Sequence, residues 1–340
     1  MEDFLKEINQ DIKDIFQYNI LTSNTFIVPT RHDDGLTFTI GADKKGKLLE
    51  TCVLMVDIRN STKISRQLKK DKVRLGKIYS SFIHAMTNIG DEYGYVRNII
   101  GDRVMVVFEP NDCYVNAINC AALMYTVANK ILAKYVDLKD FKVGIGIDFG
   151  EMLILKTGIK KKHEEQSEYK SLVWIGDAAN TASKLCDFAN KDYYSPSFNV
   201  VCEELSYERV IKVNKIFGST FNLGGTTYTL PPRDAEYENK LITKRNTHYL
   251  SLEEFKRDVD FGEVTKYKSN KVITIHKKEN SGLTSPILIS GNVYNGYKKI
   301  DPKPQFLMNM TRKDYPESPT TGTGIYGGSI ILPEFKNIKI

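Results

Sequence analysis

Two aspartates at strand–turn junctions, Asp57 and Asp102, constrain this chain more than any other feature of it. Asp57 ends the apolar run Val53-Leu54-Met55-Val56, and Asp102 lies in the dipeptide Gly101-Asp102 between two further apolar runs, 96–100 and 104–108. A Gly-Asp dipeptide between alternating apolar segments reads as a hairpin turn, and a hairpin can set two strand-end carboxylates side by side. One such Asp normally caps a turn or a helix. Two together offer the hard oxygen ligands that Mg²⁺ and Mn²⁺ take, alongside substrate phosphates. Two ions ~3.5–4 Å apart stabilise the attacking and leaving oxygens of an in-line displacement at phosphorus.

A third segment, Ile175-Gly176-Asp177-Ala178-Ala179-Asn180-Thr181-Ala182-Ser183-Lys184, opens a helix that places Asn180 and Lys184 one turn apart. Between the first two, Asn60-Ser61-Thr62 follows Asp57 at the start of a helix. It reads as an N-cap, and the free backbone N–H groups of a helix start also attract anions.

The 340 residues leave room for one domain of roughly 150–200 residues and a second unit. A charged fraction of 26% fits a water-soluble fold, and a net charge of +6 suits a small polyanionic substrate without requiring nucleic acid. The five cysteines are scattered and form no Cys-x-x-Cys pair, and the five histidines are isolated. Disulfide scaffolds and zinc sites are therefore not expected, and a reducing cytosol is. The acidic start, Met1-Glu2-Asp3, does not read as a signal peptide. The most apolar helical stretch, 118–136, carries Asn119, Asn129, Lys130 and Lys134, so it reads as a core helix rather than a membrane span.

Along the chain, helical spacing covers 1–20, 62–93 with a break near Lys70-Asp71, 111–135 and 178–189. Strands are expected at 51–58, 96–100, 104–108, 141–147, 151–155, 172–175, 200–202 and 226–230, with a charged loop at 157–170. The order β-α-β-β-α-β is a ferredoxin-like split βαβ pattern of the α/β (α+β) class. Beyond Pro231-Pro232 the character changes to short alternating runs punctuated by Gly and Pro, which predicts a small β-rich C-terminal domain. The expected division is thus 1–47, an N-terminal helix and lead-in; 48–232, the domain bearing the aspartates; and 233–340, a β-rich accessory domain. Two phosphate-binding look-alikes are set aside. Gly41-Ala42-Asp43-Lys44-Lys45-Gly46-Lys47 is followed by Leu48 and a strand, and Gly322-Thr323-Gly324 precedes no helix.

Taken in order, these segments resemble the catalytic domain of class III nucleotidyl cyclases. Asp57-Ile58 through Thr62 matches the family's strand end and phosphate-binding turn, and Gly101-Asp102 its Gly-Asp turn. Ile145-Gly146-Ile147-Asp148-Phe149-Gly150-Glu151 looks like its Ile-Gly-x-x-x-Gly-Glu segment. Gly176 to Lys184 matches the helix start Gly-(Asp/Asn)-x-x-Asn-x-Ala-(Ser/Ala)-Arg except at its last position. The resemblance implies that Asp57 and Asp102, assisted by the Ile58 carbonyl, bind two divalent cations, Mn²⁺ or Mg²⁺. It implies that Asn180 orients the ribose and that Lys184 takes the place of the transition-state arginine. It further implies a homodimer whose two sites each combine an Asp57/Asp102 face with a partner's Asn180/Lys184 face. Lysine there keeps the charge but loses the planar fork. The family's late phosphate-gripping lysine has no clear counterpart within 221–228.

The two base-selecting positions of the family fall on Asn98 and Val173. The Lys/Asp pair that reads adenine and the Glu that reads guanine are both absent. An Asn98 amide, with Arg97 beside it, matches the hydrogen-bonding edge of uracil or cytosine. This pattern resembles the pyrimidine cyclases of the bacterial Pycsar anti-phage system, in which cyclic UMP or cyclic CMP activates a separate effector protein. The tail around Gly327-Gly328-Ser329-Ile330-Ile331-Leu332-Pro333-Glu334-Phe335 resembles an accessory domain of some uridylate cyclases. UTP is the expected substrate and CTP the alternative. An adenylate cyclase with an atypical base pocket, and a degenerate nucleotide-sensing module, are the other readings to be separated.

Overall fold

The computed structural model describes residues 1–38, 41–139, 141–158, 160–161, 164–165, 171–211, 220–223, 226–229, 237–260, 263–264, 271–301, 306–313, 315, 319 and 322–332. They form two compact units, one made of 1–192 with 283–340 and the other of 193–282.

The first unit is built on two long strands. Its elements in chain order are α1 (Glu2–Gln17), β1 (Ile20–Asn24), β2 (Lys44–Ile58), α2 (Ser61–Gln67), α3 (Lys72–Tyr93), β3 (Tyr95–Ile100), β4 (Arg103–Val107), α4 (Cys113–Val127), β5 (Val143–Thr157), β6 (Ser171–Ile175), α5 (Asp177–Phe188), β7 (Ile287–Ser290), α6 (Gly291–Ile300), β8 (Thr311–Lys313) and β9 (Ile325–Gly328). The sheet runs β8-β9-β7-β5-β2-β4-β3, with β1 added to the start of β2 and β6 to the end of β5. The β-α-β-β-α-β order expected from sequence is therefore present.

Side-chain alternation divides β2 between two cores. Leu54, Val56 and Ile58 face Phe82 and Met86 of α3 and Ile118 of α4. Val53 and Met55 face the other way, with Met105 of β4 and Ala178, Ala179 and Ala182 of α5. Those alanines let α5 lie close to β5, and Gly146 completes the approach, since a Cβ there would sit 2.2 Å from the Cys186 amide nitrogen. α3 earns its helix from the buried spacing of Ile78, Phe82, Met86 and Ile89, and from Asp71, which accepts a hydrogen bond from the Arg74 N–H.

The structure differs from the sequence expectation in three places. The strands expected at 141–147 and 151–155 are one strand, because β5 pairs with β2 without interruption from Lys47–Ile154 to Ile58–Val143. Residues 200–202 and 226–229 do not complete the catalytic sheet. Asp192–Ile211 pairs antiparallel with Tyr237–Ser251 in a separate three-stranded sheet with Lys271–Leu283, and 226–229 belongs to a short hairpin with Thr220–Leu223. The β-rich unit therefore interrupts the first unit instead of following it.

The sheet is completed by β7, whose four residues are all buried and which runs parallel to β5. The run Ile287-Leu288-Ile289 returns to the first unit because it fills a place beside Ile145 and Ile147. Two crossings of the chain are joined within the first unit, where the Thr284 N–H donates to the Lys191 carbonyl and the Asn190 N–H to the Ser285 carbonyl. β9, which includes Gly327-Gly328, pairs with β7 and so also belongs to this sheet. The boundary expected at Pro231-Pro232, residues 333–335 of the tail and part of the charged 157–170 loop lie outside the described residues. No described helix is long and apolar enough to cross a membrane.

Candidate metal and nucleotide site

The β2–β4 ladder brings the two aspartates together. Its last pair is Val56–Val104, so one step further along the antiparallel strands Asp57 faces Arg103, and Asp102 follows in the turn. Gly101 adopts φ 62°, a left-handed conformation that a glycine takes at little cost and that reverses the chain tightly. The Asp57 and Asp102 carboxyl groups are within hydrogen-bonding contact of each other. Burial, the bond to Asp57 and its charge push the Asp102 carboxyl up to about 6, against the pull of its own backbone N–H and the Ser61 hydroxyl. Its Oδ2 is buried without a protein partner. Two acidic groups in contact, one with an orphaned buried oxygen, form a donor set that fits a hard divalent cation, with the Ile58 carbonyl at the adjoining strand end. Among the described residues no cluster of three or more His, Cys, Asp or Glu adds to them.

The sequence reading passed over two arginines. Arg103 Nη2 donates to Asp57 Oδ2 at 2.7 Å and to Asp187, and its Nη1 donates to Ser183 Oγ at 2.9 Å. Burial works against the charge of this guanidinium, but its bonds to Asp57 and Asp187 outweigh burial and hold its pKa above the ordinary value. Arg59, 8% exposed, pairs with Asp57 Oδ2 at 3.1 Å and donates to the Asp187 carbonyl at 2.9 Å. The signal for Arg103 was present in the alternation. Like Met55 and Met105, Asp57 and Arg103 point toward α5, and a strand-end Arg opposite an Asp is a cross-strand ion pair.

The other expected site residues are placed as follows. Asn60 is the position before α2, with φ 57° and no side-chain cap bond, so its expected capping bond is not made. Ser61 reaches Asp102 instead, and Thr62 is exposed. Asn180 and Lys184 lie on the exposed stripe of α5, one turn apart as expected. Asn98 is exposed on β3 just after a bulge, and Val173 is exposed on β6, which pairs with the far half of β5. Arg97 leaves Asn98. Its guanidinium stacks 4.7 Å from the Tyr95 ring centre and reaches the Val28 carbonyl, and burial lowers its pKa. The chain therefore gathers Asp57, Ile58, Asp102 and Ser61 at one strand end, while Asn98 and Val173 stand on surface strands.

Comparison with known proteins finds relatives of the domain that carries these residues. Residues 44–193 match the adenylate and guanylate cyclase catalytic domain family. The chain is 32% identical over 181 residues to a uridylate cyclase of Gulbenkiania mobilis, covering 50% of this chain and 66% of that protein. It is 29% identical over 191 residues to a uridylate cyclase of Burkholderia cepacia, covering 54% and 78%. Against a cytidylate cyclase of Staphylococcus aureus it is 36% identical over 121 residues, covering 33% of this chain and 28% of that protein. The chain carries a class III nucleotidyl cyclase domain. Three of the relatives it is similar to are pyrimidine nucleotide cyclases.

Proposed function

We propose that this chain is a homodimeric uridylate cyclase, converting UTP to 3′,5′-cyclic UMP and pyrophosphate as a second messenger in anti-phage defence. The observation that carries the reading is the Asp57–Asp102 pair at adjoining strand ends, with an orphaned carboxylate oxygen. Asp57, Asp102 and the Ile58 carbonyl hold two divalent cations, Mn²⁺ or Mg²⁺. When bound, these supply activation of the ribose 3′-hydroxyl and charge neutralisation at the triphosphate.

The chain's own side chains supply orientation and charge. Asn180 of one protomer orients the ribose held at its partner's carboxylates. Lys184 sets a positive charge beside the phosphorus, where negative charge develops. The bond from the 3′-oxygen to the α-phosphorus forms, the α–β anhydride bond breaks, and the hydroxyl proton is released. Asn60, Ser61 and Thr62 line the phosphate end. Asn98 faces the base, and the apolar Val173 leaves no carboxylate for an adenine amino group. Arg97, turned toward Tyr95 and Val28, supports the edge of the base pocket.

A two-protomer site accounts for the exposure of Asn180 and Lys184 in a single chain. α1 also exposes an apolar stripe, Leu5, Ile8, Ile12 and Ile15, at the three–four spacing that pairs helices. The product acts in the cytosol through a separate cyclic-nucleotide-activated effector, with neither nucleic acid nor membrane as partner. CTP is the second reading, favoured by the likeness to the cytidylate cyclase.

The test is a product assay of purified protein with Mn²⁺ and each of ATP, GTP, CTP and UTP. Cyclic UMP from UTP alone is expected. Cyclic CMP would move the base assignment, and cyclic AMP would overturn the reading of Asn98 and Val173. Nucleotide binding without pyrophosphate release would make the domain a sensor.

A further inference from the structure

We propose that Arg103 is a positioning residue that couples the two half-sites carried by one chain, tying the Asp57 carboxylate to the helix that bears Asn180 and Lys184. The inference rests on the cyclase reading of those four residues. Its geometry is a three-way fork: from β4, Arg103 bonds Asp57 on β2 with one nitrogen and reaches Ser183 and Asp187 on α5.

Residues 180, 183, 184 and 187 form one continuous stripe of a helix. Arg103 therefore grips the same face of α5 that presents the substrate-orienting side chains. It does so through Ser183, one turn from Asn180, and Asp187, one turn from Lys184. Arg59 runs beneath it, from Asp57 Oδ2 to the Asp187 carbonyl at the end of α5. Both guanidinium groups also lie near the C-terminus of α5, where the helix dipole favours positive charge.

In a two-fold dimer the consequence is specific. Asp57 serves one active site, and Asn180 and Lys184 of the same chain serve the other. A brace between them links the two sites through a rigid strand–arginine–helix unit. It also has an electrostatic consequence within one site. Arg103 places a positive charge on the oxygen of Asp57 that a cation would share, so it lowers cation affinity while fixing geometry. Charge and fork are separable, because lysine keeps the first and loses the second.

The test begins without turnover, by titrating Mn²⁺ into the full-length protein and measuring free ion by electron paramagnetic resonance. Arg103→Gln removes the charge and is expected to tighten Mn²⁺ binding by about three- to tenfold, since a neighbouring like charge is lost. Arg103→Lys is expected to bind Mn²⁺ as the wild type does. In steady-state assays both are expected to lose about tenfold or more in kcat with KM changed less, because orientation at the partner's site is lost. Ser183→Ala breaks the fork at the helix end and is expected to reduce kcat with Mn²⁺ affinity unchanged. Melting temperatures are read alongside.

Wild-type protein that binds no Mn²⁺, or binding that survives Asp57→Ala, would overturn the metal-site reading itself. Binding that Asp57→Ala removes but Arg103→Gln leaves unaltered, with kcat intact in both Arg103 variants, would overturn the coupling alone. Loss of kcat strictly in step with a fall in melting temperature would reduce Arg103 to a stabilising contact and overturn it as well.

Discussion

The carboxylate end of the candidate site and the strand edge proposed to read the base are built on opposite plans. At the carboxylate end every group has a neighbour from the same chain: Asp102 meets Asp57 and Ser61, and Asp57 meets Arg59 and Arg103. At the base-reading edge Asn98 is followed by Ile99 and Ile100, 47% and 67% exposed, and Val173 is accompanied by Ile175, 39% and 48% exposed. Exposed β-branched side chains on consecutive and alternating strand positions are a surface that wants cover. On the proposed reading the difference teaches that one protomer supplies both carboxylates, whereas Asn180 and Lys184 reach them from a second copy.

The sharpest break falls at the braced end. Asp57→Ala or Asp102→Ala is expected to lower product formation by at least about 10³-fold, since either removes one of the two proposed metal ligands. Melting temperature should not fall in Asp102→Ala at neutral pH without metal, because the variant removes a carboxylate whose charge burial and Asp57 disfavour. Chromatographic assay of product, with circular dichroism melts of the same samples, checks both. Residual activity within tenfold of wild type in either variant would remove the carboxylates from the chemistry.

The exposed stripe is sharpened by complementation. Asn180→Ala and Lys184→Ala are each expected to cost about 10²- to 10³-fold in kcat, the range for losing one charge-stabilising donor. Mixing Lys184→Ala with Asp57→Ala protein should then restore up to about a quarter of wild-type activity, because half the dimers are mixed and each holds one intact site. Failure of any mixture to recover activity would place both halves of a site in one chain.

Much of this architecture was legible in the sequence, and the reasons for the rest are physical. The strand-end aspartates, the hairpin whose turn holds Asp102 and the helix of Asn180 and Lys184 could be read because each depends on neighbours within a few residues. β7 could not, because its place beside β5 is decided by Ile145 and Ile147, across the 193–282 excursion. Arg103 was overlooked although it adjoins Asp102, because a motif records which residues recur and not which face of a strand they take. Arg97 was read as a base donor from its adjacency to Asn98, but the bulge between Val96 and Asn98 turns it toward Tyr95.

A smaller effect is expected at the base-reading edge. Installing the adenine-reading pair, Asn98→Lys with Val173→Asp, should raise the preference for ATP over UTP by about tenfold or more, since a site built to hydrogen-bond one base penalises another. Both positions are exposed in the single chain, so the melting temperature should not change. A preference that does not move would show that these two residues do not face the base, and competition between the two nucleotides in one reaction measures it directly.

The smallest expected effect is a shift in stability with pH, and it separates the two ends most cleanly. The Asp102 carboxyl titrates at about 6 in the fold against 3.8 in the unfolded chain, so the folded state holds the proton over that interval and the unfolded state does not. Its contribution to stability is therefore greatest below pH 4, is lost as pH rises toward 6, and stays lost above it. Asp102→Asn removes this dependence. In metal-free buffer the variant should melt a few degrees above wild type at pH 7 and together with it at pH 4, while making no product. Saturating Mn²⁺ should raise the wild-type melting temperature at pH 7 and not that of the variant, because the ion satisfies the same carboxylate that the proton does. Equal melting temperatures for the two proteins at pH 7 without metal would mean that Asp102 is not held against Asp57, and the carboxylate end would then lose the rigidity that distinguishes it from the base-reading edge.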